Sequence, residues 1–375
     1  MQSASHIVIC AAGGGKTTEV VRQALAETQS RLALVTYTRN NRREIERKIF
    51  ECCPAIPSRI EVMTWFTFLL QDLVRPYRRV LYDHRVDGIA WVDDRSAKFT
   101  EKANLERYFF SSTSRGLIYS DKMSEFACRC DRLSGGAVMQ RLRQRFDHII
   151  IDEVQDLAGY DLDLVETMLK VGIPLTMVGD HRQATFSTNN SPRNEPFRGV
   201  KIIKKFRQWE KKRLSTITYQ YDTYRCNQEI ANLADSLFPE EPRTNSKSQV
   251  KTGHEGIFLV QHSEVDTYVR DYQPQVLRLD IRTDCHNLSA MNFGESKGLS
   301  FDRVIIFPHG LGNRWLKTGD CRYIAGSRAK LYVGITRARY SVAFVTDGSA
   351  AIPGAQLYRA TEFVLTAPQA KKRRR

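Results

Sequence analysis

The sequence has no apolar run near the ~20 residues that a bilayer crossing requires. No membrane-spanning helix is therefore expected, and no membrane partner. Eight cysteines stand at positions 10, 52, 53, 128, 130, 226, 285 and 321, none paired at the two-residue spacing of a zinc knuckle. Cys128-Arg129-Cys130 has no matching second pair, so a structural zinc is not expected and a reduced compartment is. Internal repeats and long low-complexity segments are missing too. So is a second acidic cluster with its own metal-binding logic, which leaves a nuclease reading without support.

Acidic residues are in deficit, 42 against 57 basic ones, for a formal charge of +15. Discounting the terminal Lys371-Lys372-Arg373-Arg374-Arg375 still leaves a strongly basic body. Such an excess attracts polyanions and makes nucleic acid the expected partner. The tail itself reads as a solvated end with some non-specific DNA affinity. His6–Cys10 is too short for the apolar part of a secretory signal and leads straight into a glycine loop. The expected location is cytoplasmic, with the nucleus left open by the tail.

At 375 residues the chain has room for two domains. Short apolar runs recur at His6–Cys10, Leu32–Tyr37, Ile149–Ile151, Leu175–Val178, Val304–Phe307 and Val342–Val345. Separated by helix-length stretches such as Thr17–Thr28 and Asn40–Phe50, they predict strands of parallel sheets covered on both faces, an α/β class. Residues 71–125 break the rhythm and read as a small accessory insertion. The expected division is a first lobe over 1–200, a second over 201–368 and a basic tail at 369–375. Lys201–Lys212 is expected in the hinge, and Phe186–Val200 as a loop leading to it.

Six blocks carry chemistry. Ala12-Gly13-Gly14-Gly15-Lys16-Thr17, with Thr18 next, follows a strand and opens a helix. Such a loop turns backbone N–H groups and a helix N-terminus toward phosphates. Lys16 would reach the β- and γ-phosphates and Thr17 would ligate Mg2+. Cys10 stands where the full pattern has its first glycine. The strand Ile149–Ile151 delivers Asp152, a magnesium ligand through water, and Glu153, a base for the attacking water. Gln183 follows another strand and is a candidate sensor of hydrolysis. Arg225 and Arg337, far downstream, are candidates to stabilise transition-state charge on the γ-phosphate from a second lobe. ATP and Mg2+ are the expected ligands.

These blocks together resemble the UvrD/Rep/PcrA family of superfamily-1 DNA helicases. Thr36-Tyr37-Thr38-Arg39-Asn40 resembles the family's Thr-Phe-Thr-Asn segment, and Thr64-Trp65-Phe66-Thr67 its Thr-Phe-His-Ser segment. Asp152-Glu153-Val154-Gln155-Asp156, Tyr224-Arg225, Lys297-Gly298-Leu299 and Val333-Gly334-Ile335-Thr336-Arg337-Ala338 match as well. The resemblance implies two RecA-like P-loop lobes with ATP between them and single-stranded DNA moved 3′ to 5′ across the top. It implies that Tyr224 packs on the adenine, that Lys297 and Gly298 border the nucleotide, and that Tyr37, Thr64, Trp65 and Phe186 meet the DNA.

The departures are specific. No glutamine precedes the phosphate loop at the family's distance, since Gln2 is too near the strand, so base preference is open. Thr188-Asn189 stands where the family separates bases with Trp-Arg. The stretch between Arg225 and Lys297 has no room for a large second accessory domain, and Asn292-Phe293-Gly294 replaces Thr-Ile-His. Compact relatives of this kind work beside a nuclease or another effector, including in defence against phage. A protein partner is therefore an expectation here, and the alternative function is a nucleotide-gated DNA-binding or sensing subunit.

Overall fold

The isoleucine and valine runs form the middle of the first sheet. A computed structural model describes residues 5–113 and 116–360, so Gln2 and the tail expected at 369–375 lie outside the described residues. Strands β1 (His6–Cys10), β2 (Leu32–Thr36) and β3 (Ile60–Thr64) are followed by a short pair, β4 (Gly88–Ala90) and β5 (Leu117–Tyr119). Then come β6 (His148–Asp152), β7 (Leu175–Gly179) and β8 (Thr216–Gln220). The sheet runs β3-β2-β6-β7-β1-β8, with every pairing parallel. β2, β6 and β7 are buried along their whole length, as continuous apolar strands covered on both faces must be.

Helix α1 (Lys16–Ala26) begins directly after Gly15, whose φ of 79° turns the chain from β1 into the helix. Helix α2 (Arg39–Cys52) is capped by Thr38, whose hydroxyl accepts from the Asn41 N–H at 3.1 Å. Both bury their apolar stripes on one face of the sheet through Val20, Ala24, Ile45 and Ile49. The insertion covers the other face. Tyr82, Phe109, Phe110, Ile118 and Phe126 belong to the same core as Ile149 and Ile151, with Tyr82 stacked on Phe110 at 3.8 Å.

The first sheet continues past residue 200, which corrects the expected boundary. Helix Ile202–Lys211 is not a hinge: Ile202, Ile203, Phe206 and Trp209 enter the first lobe's core, and Lys205 pairs with the buried Glu166 at 2.6 Å. An amphipathic helix with so large an apolar stripe needs a core to cover it. The following strand, β8, closes the sheet's edge beside β1.

The short strands β9 (Asp222–Thr223) and β10 (Asn245–Ser246) pair with each other. The second sheet uses β11 (Gly256–Val260), β12 (Gln275–Arg278), β13 (Met291–Asn292), β14 (Phe301–Phe307), β15 (Ala338–Val345) and β16 (Gln356–Leu357). Its order is β13-β12-β14-β15-β11-β16, again parallel throughout. The molecule is thus two RecA-like α/β lobes. Ala12 of the glycine loop packs into the second lobe's core, which brings that lobe against the phosphate loop. Among the described residues no helix is long and apolar enough to cross a membrane.

Candidate nucleotide and nucleic-acid sites

The glycine loop is shaped by what lies over it. A Cβ on Gly13 (φ 75°) would fall 2.5 Å from the Arg225 Cβ, and one on Gly14 would fall 2.8 Å from the Asp222 carbonyl oxygen. Only glycine lets segment 222–225 approach so closely. Two hydrogen bonds hold the approach: Thr223 Oγ1 donates to the Ala12 carbonyl at 2.7 Å, and the Tyr224 N–H to that of Gly13 at 3.1 Å. Lys16 Nζ folds back toward the Ala11 carbonyl at 3.5 Å, and Lys48 donates to the Thr18 hydroxyl at 2.9 Å.

β6 ends opposite the loop. The Thr17 hydroxyl donates to Asp152 Oδ2 at 3.2 Å, placing a hydroxyl and a carboxylate oxygen where a small divalent cation takes such ligands. Burial, then the Glu153 charge, pushes the Asp152 carboxyl up to about 7. Glu153 sits in the left-handed region at φ 61°, with Gln155 donating to its carboxylate. Burial opposes its ionisation, but Lys297 and then Lys16 outweigh that and hold it below its usual range. Sequence reasoning left out Gln155. Its Oε1 also accepts from the Asp180 N–H at 3.1 Å, so one amide joins the ends of β6 and β7.

The second lobe closes the cleft with cations. Lys297 Nζ lies 2.7 Å from Asp156 Oδ2 and 3.3 Å from Glu153 Oε2, so it meets the acids as well as bordering the nucleotide space. Arg337 is buried and donates to the Leu299 and Val333 carbonyls and, at 3.0 Å, to Gln183 Oε1. Gln183 in turn donates to Asp180 Oδ2 at 3.0 Å, so both ends of the expected sensor amide are engaged. Arg225 Nη1 donates to the Thr336 carbonyl at 3.0 Å. Burial, then Arg225, lowers the Arg337 guanidinium to about 9, which still leaves it charged at neutral pH. The buried Arg337 and the half-buried Arg225 line one cleft with the glycine loop, an arrangement that favours a polyanion.

A cleft of about 550 Å³ collects nearly all of these groups. Gly13–Gly15, Lys16, Thr17, Thr18, Asp152, Glu153 and Gln183 line it from the first lobe. Tyr224, Arg225, Lys297, Gly298 and Arg337 line it from the other side. Ala12 is the exception, being buried in the second lobe's core. Among other elements packed across the cleft, Tyr332 Oη donates to Asp180 Oδ2 at 3.2 Å, and Arg182 reaches Asp235 at 3.2 Å.

A second groove, of about 900 Å³, lies on the first lobe. Tyr37, Thr64 and Phe186 line it as expected, with Phe66, Trp91, Arg39, Arg42 and Arg43. Trp65 does not. It is 1% exposed and packs against Phe68 in the core, so a base cannot reach its face. The open indole is Trp91, 62% exposed, braced edge-on by Phe66 at 4.8 Å. Tyr37 lies 6.0 Å from Phe186, and Lys297 Nζ sits 5.4 Å over the Phe186 ring. Arg39 and Arg43 make no ion pair among the described residues, whereas Arg42 pairs with Glu46. Thr188 and Asn189 are buried, with Thr188 donating to the Asp156 carbonyl at 3.1 Å, so neither is presented to a base.

A model of the UvrD/REP helicase N-terminal domain matches residues 94–192, the stretch that carries the acids of β6, Gln183 and Phe186. That stretch of the first lobe, and no more of the chain, is similar to the UvrD/REP domain. Solved structures similar to the chain include viral helicases. The PRRSV helicase is 16% identical with a TM-score of 0.44, over 92% of this chain and 52% of that one. Arterivirus nonstructural protein 10 (helicase) is 13% identical with a TM-score of 0.46, alone and in its complex with DNA. Those two structures match over 92% of this chain and 60% and 61% of theirs, so the chain spans little more than half the length of these helicases. No curated protein sequence matches it. Of the first-lobe residues named from sequence, Asp152, Glu153, Gln183 and Phe186 lie inside the matched stretch, while the glycine loop, Tyr37, Thr64 and Trp65 precede it.

Proposed function

We propose that the chain is an ATP-hydrolysing motor that moves along single-stranded DNA. One observation carries this reading: a single segment and a single lysine serve both clefts. Gln183 lines the nucleotide cleft and Phe186, three residues on, lines the aromatic groove. Lys297 touches Glu153 and Asp156 while sitting over the Phe186 ring. A strand seated on Phe186 thus bears on the lysine that neutralises the catalytic acids.

In this reading the triphosphate lies along Gly13–Gly15, with Lys16 on its β- and γ-phosphates. Thr17 and Asp152 would hold Mg2+, which supplies Lewis-acid neutralisation of phosphate charge when bound. Glu153 orients and deprotonates the attacking water, which requires Lys297 to leave its carboxylate. Arg225 and Arg337 take the charge that develops on the transferred phosphoryl group. Because they come from the other lobe, nucleotide draws the lobes together and its loss releases them. Tyr37, Trp91 and Phe186 stack bases without reading sequence, and Arg39 and Arg43 meet phosphates. Movement from 3′ to 5′ follows from the family resemblance.

The buried Thr188 and Asn189 favour translocation over autonomous strand separation, which leaves unwinding to a protein partner such as a nuclease or other effector. A test is ATP hydrolysis with and without a long single strand, using Lys16→Ala as the blank. DNA-stimulated turnover absent from Lys16→Ala is expected; turnover by that variant near the wild-type rate would remove the site assignment.

A further inference from the structure

The nucleotide cleft continues around the glycine loop into a neighbouring space of about 810 Å³. The two share Gly13–Gly15, Thr18 and Tyr224, so a phosphate chain seated on the loop, with its reacting end at Glu153 and Arg337, has its nucleoside end on this side. The walls here are Thr18, Glu19, Tyr219, Gln220, Asp222 and Tyr224. Tyr224 is 65% exposed and offers a ring face. Gln220 ends the edge strand β8, in register with Cys10 of β1, and its carbonyl accepts from the Ala11 N–H at 2.8 Å. It is therefore fixed to the loop by its backbone while its side chain stays open to the cleft.

We propose that Gln220 reads the nucleobase in this space and selects adenine; the proposal rests on the nucleotide-site reading above. A primary amide presents a donor and an acceptor side by side. The N6–H2 and N7 edge of adenine presents the complementary pair, whereas guanine presents two acceptors, O6 and N7, on the same edge. The amide's orientation is set from below. The Cys10 thiol donates to Gln220 Oε1 at 3.5 Å, and burial pushes that thiol up to about 11, so it remains a donor at neutral pH. One lone pair of Oε1 is thereby engaged, and the Nε2 hydrogens have no protein acceptor among the described residues. The departure at Cys10, where the full phosphate-loop pattern has glycine, thus has a use. It supplies the side chain that orients a base-reading amide from the opposite strand.

The test is competition of ATP, GTP, ADP and GDP against a fluorescent adenine nucleotide, alongside the ratio of kcat/KM for ATP and GTP. Wild type, Gln220→Ala and Gln220→Glu are compared, with thermal unfolding as the folding control. The wild type is expected to prefer adenine by roughly tenfold, the size of one to two net hydrogen bonds. Gln220→Ala should bring the ratio to within about threefold of unity. Gln220→Glu should tilt it toward guanine, whose N1–H and N2–H2 donate to a carboxylate. An adenine preference undiminished in Gln220→Ala, or equal binding of both bases by the wild type, would overturn the proposal alone. Failure to bind any nucleotide would overturn it together with the phosphate-site reading.

Discussion

The two clefts of this molecule solve opposite problems. In the candidate nucleotide cleft Asp152 and Asp156 are buried and Glu153 is half-buried beside Lys16 and Lys297, and charge is balanced across the lobe boundary. In the groove of the first lobe the working groups are open: Trp91 and Phe186 are 62% and 39% exposed, and Arg39 and Arg43 face solvent. Burial strengthens every electrostatic interaction of the first and makes it depend on lobe closure. Exposure would let the second accept any sequence of bases. In the proposed function, chemistry is thus kept where geometry is fixed, and the track is met where contacts are individually weak.

Substitutions that strike only one cleft break this comparison most directly. Glu153→Gln is expected to lower hydrolysis on the order of a hundredfold or more while single-strand affinity without nucleotide stays within about threefold; a parallel loss of both would mean that the clefts are not separate. Arg337→Ala should cost a comparable factor, about a thousandfold if it carries the transition-state charge, measured as kcat with ATP saturating.

The tryptophans sharpen the contrast. Trp65→Ala should destabilise the first lobe by about 3–5 kcal/mol, read as a lowered denaturation midpoint, because it empties a packed core position. Trp91→Ala should leave that midpoint in place and weaken single-strand binding by about 1–3 kcal/mol, read by fluorescence titration. An unchanged affinity in Trp91→Ala would remove it from the groove's function. The smallest effect belongs to Arg43→Ala, which should reduce the slope of log affinity against log salt by about 0.7. An unchanged slope would show that Arg43 meets no phosphate.

That the residues of the candidate nucleotide site would share one cleft was legible in the sequence because each part is a contiguous block at a strand end. Once β1, β6 and β7 are parallel neighbours, the residues after them must converge. The arginines of the second lobe followed from their charge and from family resemblance. What could not be read is the engagement of Lys297 with Glu153 and with Asp156, the latter 141 residues away, since no spacing relates positions so distant. The groove was legible only in part. Thr64 caps a short helix, and each further residue turns by about 100°, so Trp65 falls wholly into the core while Phe66, also buried, forms part of the groove wall. A one-position difference of that kind is invisible without the sheet beneath it. Trp91 comes from the irregular insertion, where no periodicity announces a face. Helix Ile202–Lys211 showed its apolar stripe plainly, yet nothing in the stripe says which lobe supplies its core.

The most direct test of the coupling between the clefts is steady-state ATP hydrolysis against single strands of increasing length. A translocating motor predicts turnover that rises with length and then reaches a plateau, with the rise lost in Phe186→Ala. Hydrolysis that ignores length, or ignores DNA altogether, would contradict the account and leave a nucleotide-gated subunit in its place.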